Sequence, residues 1–346
     1  MADLKTRYLN LELKNPLIVA SSGLTRSAKM VQQCEQLGAG AVVLKSIFEE
    51  DIRRKDNTFQ DSLMDHPEAA DYFSAEIGML YGPAEYCAEI EKARRSVSIP
   101  VIASVNCAES RYWTGYAAQI ESSGASALEL NLSVPSVNPE HSGTQSEQQF
   151  YEIVSSVRAK VKIPLAVKMS GQLTCPQNVA ANLIQAGADG LVIFNRQTGL
   201  DIDLETGRAF SAKGDQGLSS PHHIYYPLRW VSILRKQFPK ASLSASGGVH
   251  SGDAFIKYIL AGADTVQVCS LFYREGLRKI SALTGALEAY LERRGVRDVN
   301  SLRGSAGIPI QIGSREQQRL EYMELGRGRY MEVDTADGGG LVFESH

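Results

Sequence analysis

Residues 124–132 read GASALELNL. A glycine and a small residue lead into ALELNL (127–132), a run apolar enough for a strand buried on both faces. The same layout recurs three times: Gly38-Ala39-Gly40 precedes AVVLKS (41–46), Gly187-Ala188-Asp189 precedes LVIFN (191–195), and Gly262-Ala263-Asp264 precedes TVQVCS (265–270). In each, glycine ends a helix and the small pair turns the chain tightly into the next strand. Four further runs alternate with these: PLIVAS (16–21), PVIASV (100–105), PLAVKM (164–169) and SLSAS (242–246), with Ile-Pro introducing the second and third. Stretches of helical period, such as AKMVQQCEQL, QNVAANLIQA and GDAFIKYILA, separate most of the strands. Strand–helix alternation eight times over predicts an α/β protein with a closed (β/α)8 TIM barrel. An open doubly wound sheet is the alternative, and it requires a reversal of strand order that nothing in the sequence reveals.

Around this frame, residues 5–15 (KTRYLNLELKN) read as a hairpin ahead of the first barrel strand. Two connections are long, 47–97 after the second strand and 196–221 after the sixth, and both leave the strand ends where barrels hold their sites. Residues 1–309 are read as a single barrel domain and 310–346 as a C-terminal tail without periodicity. The chain has 346 residues, 43% of them hydrophobic, with a formal net charge of −3. That charge gives no case for nucleic acid or an anionic membrane surface. The N-terminus lacks the layout of a secretion signal and no apolar run is long enough for a bilayer, so a cytoplasmic protein is expected. Cys34, Cys87, Cys107, Cys175 and Cys269 are dispersed without a C-x-x-C pair, the six histidines form no H-E-x-x-H, and no metal site is expected.

The strand ends are polar: Ser21-Ser22-Gly23, Lys45-Ser46, Ser104, Asn131, Lys168, Asn195, Gly247-Gly248 and Cys269-Ser270. Gly247 and Gly248 after the seventh strand, with Ser270 and a short helix beginning near Leu271 after the eighth, fit a phosphate site. Lys45 and Lys168 each end an apolar strand, where desolvating an ammonium is costly unless an acceptor or anion meets it. Two such lysines with neighbouring asparagines point to a ligand with carbonyls and developing negative charge.

With these motifs in order, NPLIVASSG, LKS, LELNLSVPS, PLAVKMS, QGLSSP, SASGGVHSGDAFIKYILAGAD and VQVCSLFYREG, the chain resembles the dihydroorotate dehydrogenase family, and within it the soluble branch, from about Tyr8 to about Leu302. The resemblance implies an FMN-bearing barrel that oxidises a saturated C–C bond to an alkene. It places Ser21, Ser22, Gly23, Ser46, Ser104 and Asn131 along the flavin and Lys168 at its N1/O2 edge. Lys45 falls between flavin and substrate, and Gly217, Gly247, Gly248, Cys269 and Ser270 fall at the phosphate. Lys45, Asn131, Ser136, Asn195 and Arg196 are the implied substrate residues.

On the substrate side the chain departs from that pattern. The family's general base, cysteine or serine, is replaced by Val134, which cannot accept a proton. An asparagine two places on is Ser136, a serine after the sixth strand is Arg196, and the loop that holds orotate has its nearest counterpart in AEIGMLYGP (75–83). The expected activity is therefore an FMN-dependent oxidoreductase acting on a C–C bond of a small anionic substrate. The alternatives are a true dihydroorotate dehydrogenase with a surrogate base (His141 or Cys175), a phosphate-binding barrel lyase or isomerase, and a flavin-binding module without turnover. The expected partners are a small-molecule substrate and a soluble electron acceptor or separate redox partner, and a homodimer is compatible with this reading.

Overall fold

The computed structural model describes residues 2–48, 82–106, 110–132, 139–196, 199–211, 217–306, 319, 322 and 323. The chain divides into two compact units, Met1–Ala306 and Gly307–His346. In the first, the hairpin of β1 (Thr6–Tyr8) and β2 (Leu11–Leu13) precedes β3 (Leu17–Val19), α1 (Ala28–Gln36), β4 (Ala41–Val43) and the short β5 (Ile47–Phe48). Then come α2 (Pro83–Ser96), β6 (Val101–Asn106), α3 (Ser110–Ser122), β7 (Ala127–Leu132), α4 (Gly143–Arg158), β8 (Leu165–Met169), α5 (Pro176–Gln185) and β9 (Gly190–Ile193). A second hairpin, β10 (Leu200–Ile202) and β11 (Ala209–Ser211), leads to α6 (Tyr225–Gln237), β12 (Ser242–Ser246), α7 (Gly252–Ala261), β13 (Thr265–Val268), α8 (Ser270–Glu275), α9 (Lys279–Arg294) and α10 (Val299–Leu302).

The strands β4, β3, β13, β12, β9, β8, β7 and β6 pair in parallel in that order, and β4 pairs with β6 through Val42↔Val101 and Val43↔Ile102. That last pairing closes the sheet into the eight-stranded barrel expected from the alternation. The Gly-Ala repeat has a shared geometry. Gly38, Gly124, Gly187 and Gly262 all take positive φ, the left-handed backbone that stops a helix. In every copy the N–H of the third residue then docks on the preceding barrel strand: Gly40 on Leu17 O, Ser126 on Val101 O, Asp189 on Leu165 O and Asp264 on Leu243 O, at 2.8–2.9 Å. The repeat thus ends a helix and sets the register of the next strand in three residues. Asp189 and Asp264 add their carboxylates, which accept from the N–H of Leu165 and Leu243 and from Arg158 and Arg235.

Alternation along the strands separates two environments. Leu128, Leu130 and Leu132 of β7 join the apolar layer between barrel and helices, whereas Ala127 belongs to a cluster inside the barrel. That inner cluster contains Ile18, Ala41, Val43, Ile102 and Ala166, capped by Tyr8, Leu9 and Leu13 of the first hairpin. The hairpin is therefore the floor of the barrel. Its two-residue turn, Leu9 (φ 52°) and Asn10 (φ 59°), has the positive-φ pair that matches the twist of hairpin strands. Leucine there is strained by about 1–2 kcal/mol, but Leu9 is fully buried. Burying a leucine contributes about 1.5–3 kcal/mol, enough to offset that strain. A Cβ on Gly190 would lie 2.6 Å from Leu9 Cδ2, so β9 passes directly against the plug.

Three expectations need correction. The connection 47–97 contains α2, whose sequence is largely charged and which buries Tyr86, Ile90 and Ala93. The connection 196–221 contains the β10–β11 hairpin. The eighth strand ends at Val268, two residues short of the TVQVCS run; Cys269 occupies the N-cap position of α8 and the helix begins at Ser270, next to the expected Leu271. Residues 49–81 and almost all of the tail lie outside the described residues. Among the described residues no helix is long and apolar enough to cross a membrane.

Truncating the plug tests the floor. Leu9→Ala is expected to lower unfolding free energy by about 2–5 kcal/mol, the cost of a buried cavity. Urea unfolding checks this, and a loss below about 1 kcal/mol would show that the hairpin does not seal the barrel.

Candidate active site

At the C-terminal ends of the strands a ring of small polar side chains joins four neighbouring strands. Ser21, two residues past β3, shares a hydrogen bond with Ser46 at 2.9 Å, and Ser46 shares one with Ser104 of β6 at 2.8 Å. Asn131 of β7 donates its Nδ2 to both Ser46 (3.0 Å) and Ser104 (3.1 Å). The amide is therefore anchored by its nitrogen, and its buried Oδ1 has no partner. Ser104 is itself gripped by α2: Tyr86 OH donates to Ser104 O at 3.0 Å and accepts from Ser104 N at 2.9 Å. Burial pushes the Tyr86 phenol far above its usual range, so it stays a neutral, two-way partner.

Beneath this ring lies a charged group on the barrel axis. Lys168 of β8 donates to Gln267 Oε1 of β13 at 3.0 Å, and Gln267 Nε2 donates to Glu129 Oε2 of β7 at 2.5 Å. The other carboxylate oxygen, Glu129 Oε1, stands 3.9 Å from Lys168 Nζ. Neither β7 nor β8 neighbours β13 in the sheet, so these bonds cross the interior. All three residues are buried. Glu129 and Gln267 were not singled out from the sequence, although each stands two places before a residue that was, Asn131 and Cys269. Alternation puts residues two apart on the same face, so the signal was there.

The ends of β12 and β13 meet through Ser219, another residue the sequence reading passed over. Its N–H and its hydroxyl both donate to Ser270 Oγ at 3.0 Å, and its Oγ accepts from Gly248 N at 3.3 Å. Gly248 (φ 69°) has no room for a side chain, since a Cβ would overlap the backbone of Ile224. Gly247 (φ 103°) has open space, with Pro227 Cγ 3.9 Å from a built Cβ. Ser219 thus joins Gly248 to Ser270, and two residues before it Gly217 O accepts from Arg196 Nη1. This bond uses one of the five N–H donors of the guanidinium. Asn195 Oδ1 accepts from Arg196 N at 2.9 Å.

The remaining residues divide. Ser22 caps the turn Gly23–Thr25: its hydroxyl donates to Ala20 O and accepts from Leu24 N, so its side chain is used by the fold. Gly23 is needed where Tyr273 OH would stand 2.7 Å from a Cβ. Burial pushes the Cys269 thiol up, opposed by a hydrogen bond with Ser22 and by the charges of Lys168 and Arg196. Lys45 is half-buried with Nζ 4.6 Å from the centroid of Phe48. His141 is exposed and Cys175 occupies the N-cap position of α5. Val134, Ser136, Cys107 and residues 75–81 lie outside the described residues. Among the described residues no group of three metal-ligating side chains occurs.

Chemically, the ring and the axis suit a planar polar ligand: hydroxyls that donate or accept, a free amide oxygen, and an ammonium with donors left after Gln267 takes one.

The family described as Dihydroorotate dehydrogenase matches residues 3–291. Among curated proteins, the dihydroorotate dehydrogenase B (NAD(+)) catalytic subunit of Methanocella arvoryzae is 31% identical over 291 residues, 83% of this chain and 92% of that protein. The protein of the same name from Methanosarcina acetivorans is 30% identical over 85% of this chain and 93% of its own length. That from Thermoplasma volcanium is 26% identical over 88% of this chain and 99% of its own.

The Tyr86–Ser104 clasp yields a direct test. Tyr86→Phe leaves a buried N–H and C=O without their partner, and is expected to cost about 1–3 kcal/mol of stability. Differential scanning calorimetry would read this as a lowered Tm, and an unchanged Tm would show that Ser104 is held by the barrel alone.

Proposed function

This chain belongs to the dihydroorotate dehydrogenase family, and we propose that it is an FMN-dependent oxidoreductase acting on a carbon–carbon single or double bond of a small anionic substrate. The observation that carries this reading is a division in the chain. Ser21, Ser46, Ser104, Asn131 and Lys168 converge at adjoining strand ends, as a flavin ring requires. At the positions where the family keeps its base and its substrate-binding amide, the chain has Val134 and Ser136, and Arg196 follows Asn195.

FMN, when bound, supplies two-electron chemistry. Ser21, Gly23, Lys45, Ser46, Ser104, Asn131 and Lys168 would hold its ring, with Ser22 contributing through the turn it caps. Gly217, Gly247, Gly248, Cys269 and Ser270 would hold its phosphate. The residues present fit the group: among the described residues Asn131 Oδ1 is buried without a partner and Lys168 gives only one hydrogen bond, to Gln267. Lys168 presents a cation already in place where negative charge develops on reduction, and such fixed charges act strongly in a dry site. On the substrate side, Lys45, Asn131, Ser136, Asn195 and Arg196 are the groups available to orient an anion. No proton leaves through residue 134, because valine has no acceptor.

The relatives named above are catalytic subunits of an NAD(+) enzyme. In this reading the chain likewise works beside a separate subunit that takes up the electrons. A true dihydroorotate dehydrogenase with a base supplied from elsewhere is the second reading, favoured by the names of those relatives.

The protein is expected to bind one FMN per chain; protein that stays colourless after soaking in FMN would end the flavin reading. Lys168→Ala is expected to lower the flavin's reduction potential, costing about 2–4 kcal/mol of stabilisation of the reduced state. An unchanged potential in a folded variant would remove Lys168 from the ring.

Val134 is tested by stopped-flow bleaching of the flavin with dihydroorotate. Wild type is expected to bleach about 10²–10⁴-fold more slowly than an enzyme with a positioned base. Val134→Cys alone is expected to restore little, because Ser136 and Arg196 remain. Fast bleaching by wild type would establish the second reading instead.

A further inference from the structure

We infer that Glu129 and Gln267 are positioning residues that fix the ammonium of Lys168 on the barrel axis and set how strongly its charge acts on the redox group bound at the strand ends. The inference deepens the FMN reading and rests on it.

Three strands meet in this contact, and two of them do not touch the third in the sheet. Glu129 and Gln267 are 0% and 1% exposed. A carboxylate so placed is costly unless it is paired and hydrogen-bonded. Its bond to Gln267 Nε2 is short at 2.5 Å, and the amide passes the contact on by accepting from Lys168 Nζ at 3.0 Å. Glutamine suits this link because one end donates to an anion while the other accepts from a cation. The carboxylate and ammonium are 3.9 Å apart, too far for a direct hydrogen bond and near enough for a strong Coulomb pull. What reaches the strand ends is therefore the field of a tethered ion pair, weaker than that of a bare cation but fixed in direction.

The other titratable groups facing this pair come from three further segments. From the floor, Tyr8 has its phenol pushed well up by burial, then by Glu129 and Asp264. From the end of β13, the Cys269 thiol is raised by burial and feels Lys168 and Arg196. Arg196 itself follows β9. Of these, Glu129 is the one anion bonded into the Lys168 contact among the described residues.

The test is spectroelectrochemistry of the FMN-loaded protein at about pH 6. Glu129→Gln keeps the shape and removes the opposing charge, so at about pH 6 its potential is expected above wild type. Gln267→Met keeps both charges and deletes the link, letting Nζ drop toward Glu129, and a potential below wild type is expected. A Glu129→Gln potential at or below wild type at about pH 6, or a Gln267→Met potential equal to wild type, overturns the inference. If Glu129→Gln fails to fold, Gln267→Met decides alone. Protein that takes up no FMN ends the flavin reading, and the relay is then read in the flavin-free chain. There the slowly exchanging ¹H–¹⁵N signal of the Lys168 ammonium, assigned with Lys168→Met, is expected to change its chemical shift in Gln267→Met as Nζ passes from the amide to the carboxylate. A signal at the wild-type position overturns the relay.

Discussion

The pairing of β7 with its two neighbours governs what the barrel can hold. Ser104 stands opposite Glu129 on one side, and Asn131 stands opposite Lys168 on the other. A slip of one residue would turn Leu128, Leu130 and Leu132 inward and carry Glu129 and Asn131 into the apolar layer beneath the helices. Neither arrangement of polar groups would survive, since Glu129 needs Gln267 across the axis and Asn131 needs Ser46 and Ser104 at the rim. The register is held locally by Ser126, whose N–H docks on Val101 O while its hydroxyl accepts from Val101 N. A three-residue turn between α3 and β7 thus positions side chains on four strands.

The barrel was legible because each of its strands is a short apolar run and half of them are announced by the same turn. ALELNL and SLSAS coincide with β7 and β12 to the residue. What escaped did so for physical reasons. Helix α2 is amphipathic only weakly, with three buried residues in a sequence full of charge, so its period is hard to separate from that of a loop. Glu129 and Gln267 hide inside runs whose overall hydrophobicity argued for strand, and hydrophobicity cannot say that one face of a strand looks into a polar interior. Ser219 matters through three bonds made across long sequence distances, which no local pattern encodes. Of the residues read as cofactor-binding, Ser21, Ser46, Ser104 and Asn131 share hydrogen bonds with one another, whereas the Ser22 hydroxyl and, among the residues read as substrate-binding, the Arg196 guanidinium donate to backbone carbonyls.

The division between a retained side and a rebuilt side follows the architecture. Lys168, Asn131 and Ser104 lie on strands, where a change would disturb the ladder and the interior together. Arg196 lies beyond the end of β9, and Val134 and Ser136 follow β7 in the sequence, outside the described residues; connecting segments tolerate substitution better than strands do. A barrel can therefore exchange one ligand for another by altering loops while the groups under the first ligand stay fixed.

The floor of the barrel has a consequence for how the chain is made. Tyr8 and Leu9 precede the barrel strands in the chain, yet Leu9 packs against Gly190 and donates its N–H to Ser242. Thr6 bonds Asp264 O, Asp3 bonds residues 297 and 299, and Asn300 reaches Lys5 O. The hairpin thus acquires its native neighbours only after nearly 300 further residues have been synthesised. Contacts this distant in sequence slow folding, and they leave an apolar hairpin waiting in solvent or in a chaperone's grip meanwhile. Translation completes this barrel from the bottom last, so chains stalled or truncated before the last strands would expose a sticky β-hairpin.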